Sequence, residues 1–144
     1  PIMNKNLIYV QDQLLDRENF GIASFSIDPF NDTPSVLKEY AERYGVVNMD
    51  WHLMSGPLEE IYDLANEGFN IFAQQMPNVP GGFEHAGMFA LVDKNGFIRS
   101  RVDEFGNPII YYRGAIDHEI GVNDHGETDQ IEALITDIKK LLEE

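Results

Sequence analysis

Cysteine is absent from the 144 residues. The chain alone can therefore form no disulfide, no thiolate metal site and no thiol nucleophile. Basic residues are scarce, with 10 Lys and Arg against 25 Asp and Glu, for a formal charge of −15. Such a surface repels phosphate backbones and anionic lipid head groups, so nucleic acid is not an expected partner. It suits cations or a basic protein surface, although its commonest meaning is solubility. Long apolar runs are also missing. Nothing approaches the roughly 18 apolar residues of a membrane span, and no signal-peptide run opens the chain. The first residue is Pro and not Met, which suits a processed protein or a piece of a longer one. No Ser-His-Asp order, phosphate loop or paired-carboxylate spacing rises above chance.

The residues that are present read as globular. The hydrophobic fraction is 43%, with 9 Phe, 6 Tyr and 1 Trp, and a chain of this length buries roughly 70% of its unfolded surface as one domain. A single domain over residues 1–144 is expected.

Apolar positions Met3, Leu7, Ile8, Val10, Leu14 and Leu15 recur at three and four residues, which predicts a helix starting almost at the first residue. GIASFSI at 21–27 reads as a short strand buried on both faces, ended by Asp28-Pro29. Thr33-Pro34 predicts an N-cap and first helical residue, with Val36, Leu37, Tyr40 and Ala41 as the apolar face up to Gly45. A strand is expected around Trp51, and a helix from Gly56-Pro57 through Ala65 to about Gly68.

Residues 73–87 hold Pro77, Pro80, Gly81, Gly82 and Gly87, too many breakers for a regular element, so a long loop is expected. MFALV at 88–92, the Asn-Gly turn at 93–96 and residues 97–102 predict an antiparallel hairpin. Residues 103–126 read as a long irregular surface insertion with a possible β excursion at 109–112. Thr128 is the expected cap of a last helix bearing Ile131, Leu134, Ile135, Ile138, Leu141 and Leu142. No repeats are apparent. This order predicts an α/β sandwich with a mixed sheet, and an opening helix calls for a strand upstream of Pro1 that this chain lacks.

In open α/β sheets ligands gather beyond the C-terminal ends of the parallel strands. The loop from Asp28 to Thr33, the start of the first helix and the loop ending at His85 should meet at that edge. The run SIDPFNDTPSVLKEYAERYG (26–45) resembles the S-I-D-P-x-x-D-T segment and following helix of the Sco/SenC family. FEHAGMFALVDKNGFIR (83–99) resembles its histidine, strand and hairpin, and Pro1-Ile2-Met3 is similar to the residues directly after its C-x-x-x-C.

The resemblance implies a thioredoxin-like fold and a copper site of two cysteines and one histidine. His85 matches the histidine ligand, and the cysteines are expected immediately upstream of Pro1. Soft thiolates and imidazole select copper over hard cations. The implied function is delivery of copper to the copper-site subunit of a respiratory oxidase, or thiol-disulfide exchange at that site. The implied place is the periplasmic side of the cytoplasmic membrane, held by an anchor upstream of the chain. Asp28 and Asp32 could orient ligands from behind, though turn formation and capping explain them as well.

The alternative is a redox-inactive thioredoxin-like interaction module, and a peroxidase-type thioredoxin relative stands behind both. His118 and His125 beside Asp117 and Asp124 could form a small N/O metal site, against the plainer reading of solvated loop pairs. The five Met residues show no clustered spacing and read as core filling.

Overall fold

The computed structural model describes residues 2–144. Its elements alternate between helices and short strands, so the fold class is α/β, as the sequence predicts. The chain groups into two compact units, one of residues up to 16 with Gly87–Glu144, the other Arg17–Ala86.

In the second unit, β1 (Ile22–Phe25) pairs in parallel with β2 (Trp51–Met54), with Ile22 opposite Trp51 and Phe25 opposite Met54. Trp51 is buried, and its indole N–H donates to Ser24 Oγ at 3.1 Å. The strand β1 is not buried on both faces. Its burial alternates and Phe25 stays exposed.

Helix α2 (Pro34–Tyr44) begins as the sequence predicts: Thr33 Oγ1 accepts the Val36 N–H and Pro34 takes the first turn. Gly45 closes it at φ +80°, donating its N–H to Ala41 O, a conformation that costs glycine nothing. Helix α3 (Leu58–Asp63) starts after Pro57 and widens into a π-helical turn, Leu64–Gly68.

The expected loop at 73–87 contains a hairpin. β3 (Ala73–Gln75) and β4 (Phe83–His85) pair antiparallel, Ala73 opposite His85 and Gln75 opposite Phe83. The breakers Pro77, Pro80, Gly81 and Gly82 fall in the connection, which leaves both flanks free to pair.

In the first unit, α1 (Ile2–Asp12) and α4 (Ile131–Leu142) supply most of the core. Ile131, Leu134, Ile135 and Ile138 are buried on one face of α4, as are Leu7 and Val10 on α1 and Leu14 just beyond it. Full burial of each such aliphatic side chain stabilises by about 1.5–3 kcal/mol. Thr128 is not the cap of α4. It bridges to Val122, and Asp129 Oδ1 takes the Ile131 N–H at 2.9 Å instead.

The hairpin after 88 is rearranged. The turn at Asp93–Gly96 forms, but it joins only a Val92–Ile98 bridge. Strand β5 (Met88–Phe89) pairs instead with β8 (Tyr112–Arg113), while β6 (Arg101–Val102) pairs with β7 (Pro108–Ile109). Close backbone approach explains the switch: Gly114 N–H donates to Gly87 O at 2.8 Å, and a β carbon on Gly87 would lie 2.2 Å from Ala115 Cβ. Residues 103–126 are therefore not a surface insertion throughout. Tyr112 and Ile116 are buried in the core, and Tyr112 Oη donates to Asp137 Oδ2 at 2.8 Å.

A repeat that composition did not reveal lies here. Asp93, Asp103 and Asn123 each accept two backbone N–H groups on Oδ1, from the residues two and four positions on. Each turn then passes through a glycine at positive φ, Gly96, Gly106 and Gly126.

Candidate functional site

The segment after β1 is built on side-chain bonds. Ser26 Oγ donates to Asp32 Oδ2 and accepts the Asp28 N–H. Asn31 Nδ2 donates to Asp28 Oδ2 at 2.8 Å, and the backbone N–H groups of Asn31 and Asp32 both donate to Asp28 O. Asp28 and Asp32 thus share one turn at the C-terminal end of a parallel strand. No sequence signal marks Tyr62, which lies on α3. Its phenol is pushed up, first by burial and then by the negative charge of Asp28.

His85 ends β4 and is exposed. Its backbone is held by pairing with Ala73, and the next N–H, of Ala86, donates to Phe72 O at 2.8 Å. Ring Nδ1 lies 3.1 Å from Ala86 O, a carbonyl that can only accept, so Nδ1 is the donor of that bond and Nε2 is the nitrogen left to offer a lone pair in the neutral ring. Among the described residues no hydrogen bond or ion pair joins His85 to Asp28 or Asp32. Pro1, expected at the same edge, lies outside the described residues.

The suggested site at 117–125 does not assemble. His118 Nδ1 faces Asp129 Oδ1 at 3.0 Å, its Nε2 faces Glu132 Oε1 at 3.3 Å, and its ring lies 4.5 Å from that of Tyr9. Lys5 holds the Asp117 carboxyl below the usual range, with help from the Glu119 N–H. His125 is exposed and enters by its backbone N–H alone, on Asn123 Oδ1. Among the described residues no group of three His, Cys, Asp or Glu is placed to hold a metal ion. A shallow depression of about 400 Å³ is lined by Asn19, Phe20, Gly21, Asp50 and His52 among others, at the other end of β1 and β2 from Asp28.

No protein of curated function matches the chain. Among the solved structures that share its fold are two of one family. One is a SCO1/SenC family lipoprotein from Bacillus anthracis str. Ames, with TM-score 0.72, 24% identity, and coverage of 98% of this chain and 71% of that one. The other is BsSco, a member of the Sco family of cytochrome c oxidase assembly proteins in which a disulfide switch was identified, with TM-score 0.69, 23% identity, and coverage of 99% and 71%. The resemblance carried by residues 26–45 and 83–99 is borne out by a family model, SCO1/SenC, that matches residues 1–116. The chain belongs to the SCO1/SenC family.

Proposed function

We propose that this chain is the thioredoxin-like domain of a copper-carrying assembly protein, in which His85 supplies an imidazole ligand through Nε2. The observation that supports this most is the state of His85 itself, exposed at the end of β4 with Nδ1 tied to Ala86 O. Metal-binding histidines ordinarily donate one ring N–H to a carbonyl or carboxylate and bind through the other nitrogen. The described residues do not complete a copper site, since the sequence holds no thiolate and one imidazole binds copper weakly. Two thiolates from outside these 144 residues complete it in this reading.

The cargo is copper for the metal site of a respiratory oxidase, and the same thiols account for disulfide exchange. The description of BsSco as a cytochrome c oxidase assembly protein with a disulfide switch supports both. The lipoprotein character of the Bacillus anthracis relative supports a place outside the cytoplasmic membrane. Copper titration of the full-length protein tests the reading. Micromolar or tighter binding that is lost in His85→Ala is expected, and absence of binding, or binding unchanged by the substitution, overturns it.

A second reading, a redox-inactive interaction module, draws on apolar side chains left in solvent. Phe105 is 81% exposed and Ile120 70%, in a stretch that also carries Glu104, Asp117, Glu119 and Asp124. Full-length protein that binds no copper favours this reading.

A further inference from the structure

The three like turns in residues 92–128 differ at the residue before the glycine, which is Asn95 in the first, Phe105 in the second and His125 in the third. Asn95 is exposed, and its side-chain amide has no partner among the described residues. Gly96 comes next at φ +85°, with open space where a β carbon would be. This is the one Asn-Gly pair in the sequence. We propose that Asn95 is a site of spontaneous covalent modification, deamidating through a cyclic imide to aspartate and isoaspartate.

The step balances within the chain and water. The Gly96 main-chain nitrogen gives its proton to solvent base and attacks Asn95 Cγ; the new N–Cγ bond forms as Nδ2 leaves as ammonia. Water then opens the imide at either carbonyl. Opening at one side returns a normal peptide bond with an aspartate, and opening at the other routes the main chain through the former side chain as isoaspartate. One NH₃ is exchanged for one H₂O, no electrons move to an outside acceptor, and the net charge falls by one.

Three other asparagines are chemically or structurally protected. Asn107 precedes Pro108, which has no N–H to attack. Asn66 is locked, donating from Nδ2 to Tyr62 O and Ala73 O and accepting the Ala73 N–H on Oδ1. Asn123 uses Oδ1 for two backbone N–H groups and donates from Nδ2 to Glu127.

The turn itself sets the rate. Gly96 N–H donates to Asp93 O at 2.9 Å, and Asp93 Oδ1 takes the N–H groups of Asn95 and Phe97, so the attacking nitrogen is held until the turn opens. Past the turn the hairpin is a short ladder, held at the Val92–Ile98 bridge by the Asp93 N–H on Phe97 O and the Arg99 N–H on Leu91 O, with Arg99 Nη1 3.4 Å from Asp93 Oδ2, and so short a ladder can open locally. Isoaspartate would add a main-chain atom between the Asp93 N–H and the Phe97 O it pairs with, loosening the hairpin that carries Arg99.

The intact chain, incubated in warm, mildly alkaline buffer, should be followed by peptide mapping with mass spectrometry and by enzymatic methylation of isoaspartate. Conversion at Asn95 ahead of Asn66, Asn107 and Asn123 is expected. Asp93→Ala should accelerate it by about five- to thirtyfold, as the loss of two capping bonds implies. Asp93→Asn, which keeps an acceptor as Asn123 does in its own turn but loses the charge, should convert at a rate between those of wild type and Asp93→Ala, and serves if Asp93→Ala fails to fold. An unchanged Asn95 in the chain, while a free peptide of residues 91–99 converts, overturns the proposal. Equal rates in wild type and a folded Asp93→Ala overturn the role of the cap.

Discussion

Phe89 lies so close over Gly114 that a β carbon at residue 114 would stand 2.2 Å from Phe89 Cε2. This contact and the Gly87–Gly114 bond decide that β5 pairs with β8 and not with the strand next to it in sequence. Gly114→Ala should destabilise the protein by about 1–3 kcal/mol, the usual cost of overpacking. Equilibrium urea unfolding measures it. Adding Phe89→Leu should recover part of the loss, and strict additivity of the two changes would show that the ring is not the obstacle.

Tyr112 couples the same strand to α4. Its side chain is 1% exposed and Oη donates to Asp137 Oδ2 at 2.8 Å, with Arg101 Nη1 3.4 Å from the same oxygen. Tyr112→Phe should cost about 1–3 kcal/mol, a hydrogen bond to a charged group, and Tyr112→Ala about 3–5 kcal/mol through lost packing. Burial, and then the Asp137 carboxylate, push the phenol pKa up strongly. A raised folded-state pKa gives stability that is complete below the unfolded value of about 10 and is lost as pH rises beyond it. Wild-type unfolding midpoints should therefore fall above about pH 10, and those of Tyr112→Phe should fall less.

Much of this architecture was legible in the residues. Thr33-Pro34 and Gly45 mark the two ends of α2 through local chemistry alone, and both ends are where the sequence puts them. The apolar stripe of α4 likewise comes from a 3.6-residue period, whereas its start is displaced because Thr128 is engaged in a bridge to Val122, a contact that no helix-capping rule contains. Strand partners were not legible. Met88 and Arg113 are brought together by glycines 27 residues apart in the sequence, Gly87 and Gly114, and a local pattern carries no information about so distant a fit. The likeness of the three turns was hidden because Asp and Asn, and Asn, Phe and His, are interchangeable at their positions once the backbone bonds are made. At the candidate site, the histidine stood out only through its neighbours in the family-like run, while the tautomer of His85 and the pairing of His118 with Asp129 depend on three-dimensional placement.

Asp103 offers a test of the charge's contribution to such a turn. The N–H of Asn107, its side-chain amide and the N–H of Phe105 hold the Asp103 carboxyl below the usual range. A depressed folded-state pKa gives stability that is present above the ordinary value of about 4 and is lost as pH falls through the folded one. Asp103→Ala should be less stable than wild type at neutral pH and should approach it in acid. Asp103→Asn, with the acceptor that Asn123 uses naturally, should lie between them at neutral pH and show a flatter acid limb. Thermal unfolding of the three proteins between about pH 2 and 7, a window spanning the carboxylate range, measures both effects, and parallel curves would refute them.

Asn6 sets the sharpest demand on a single side chain. It is 1% exposed on α1, donates from Nδ2 to Gly114 O at 2.9 Å and to Ile116 O at 2.7 Å, and accepts the His118 N–H on Oδ1 at 3.1 Å. Asn6→Ala strands two carbonyls and one N–H, so a loss of roughly 3 kcal/mol or more is expected, since each orphaned buried group costs about 1–3 kcal/mol. Asn6→Asp should be worse at neutral pH despite its nearly identical shape, because an ionised carboxylate has no donor for the two carbonyls and is itself desolvated. Protonation restores one donor, so the folded form of that variant binds its proton more tightly than the unfolded chain does. Its stability should consequently rise relative to wild type as pH falls toward about 4. Urea midpoints of the two proteins across that range decide the matter, and a gap that stays constant with pH would mean that water, and not the carbonyls of Gly114 and Ile116, meets the side chain.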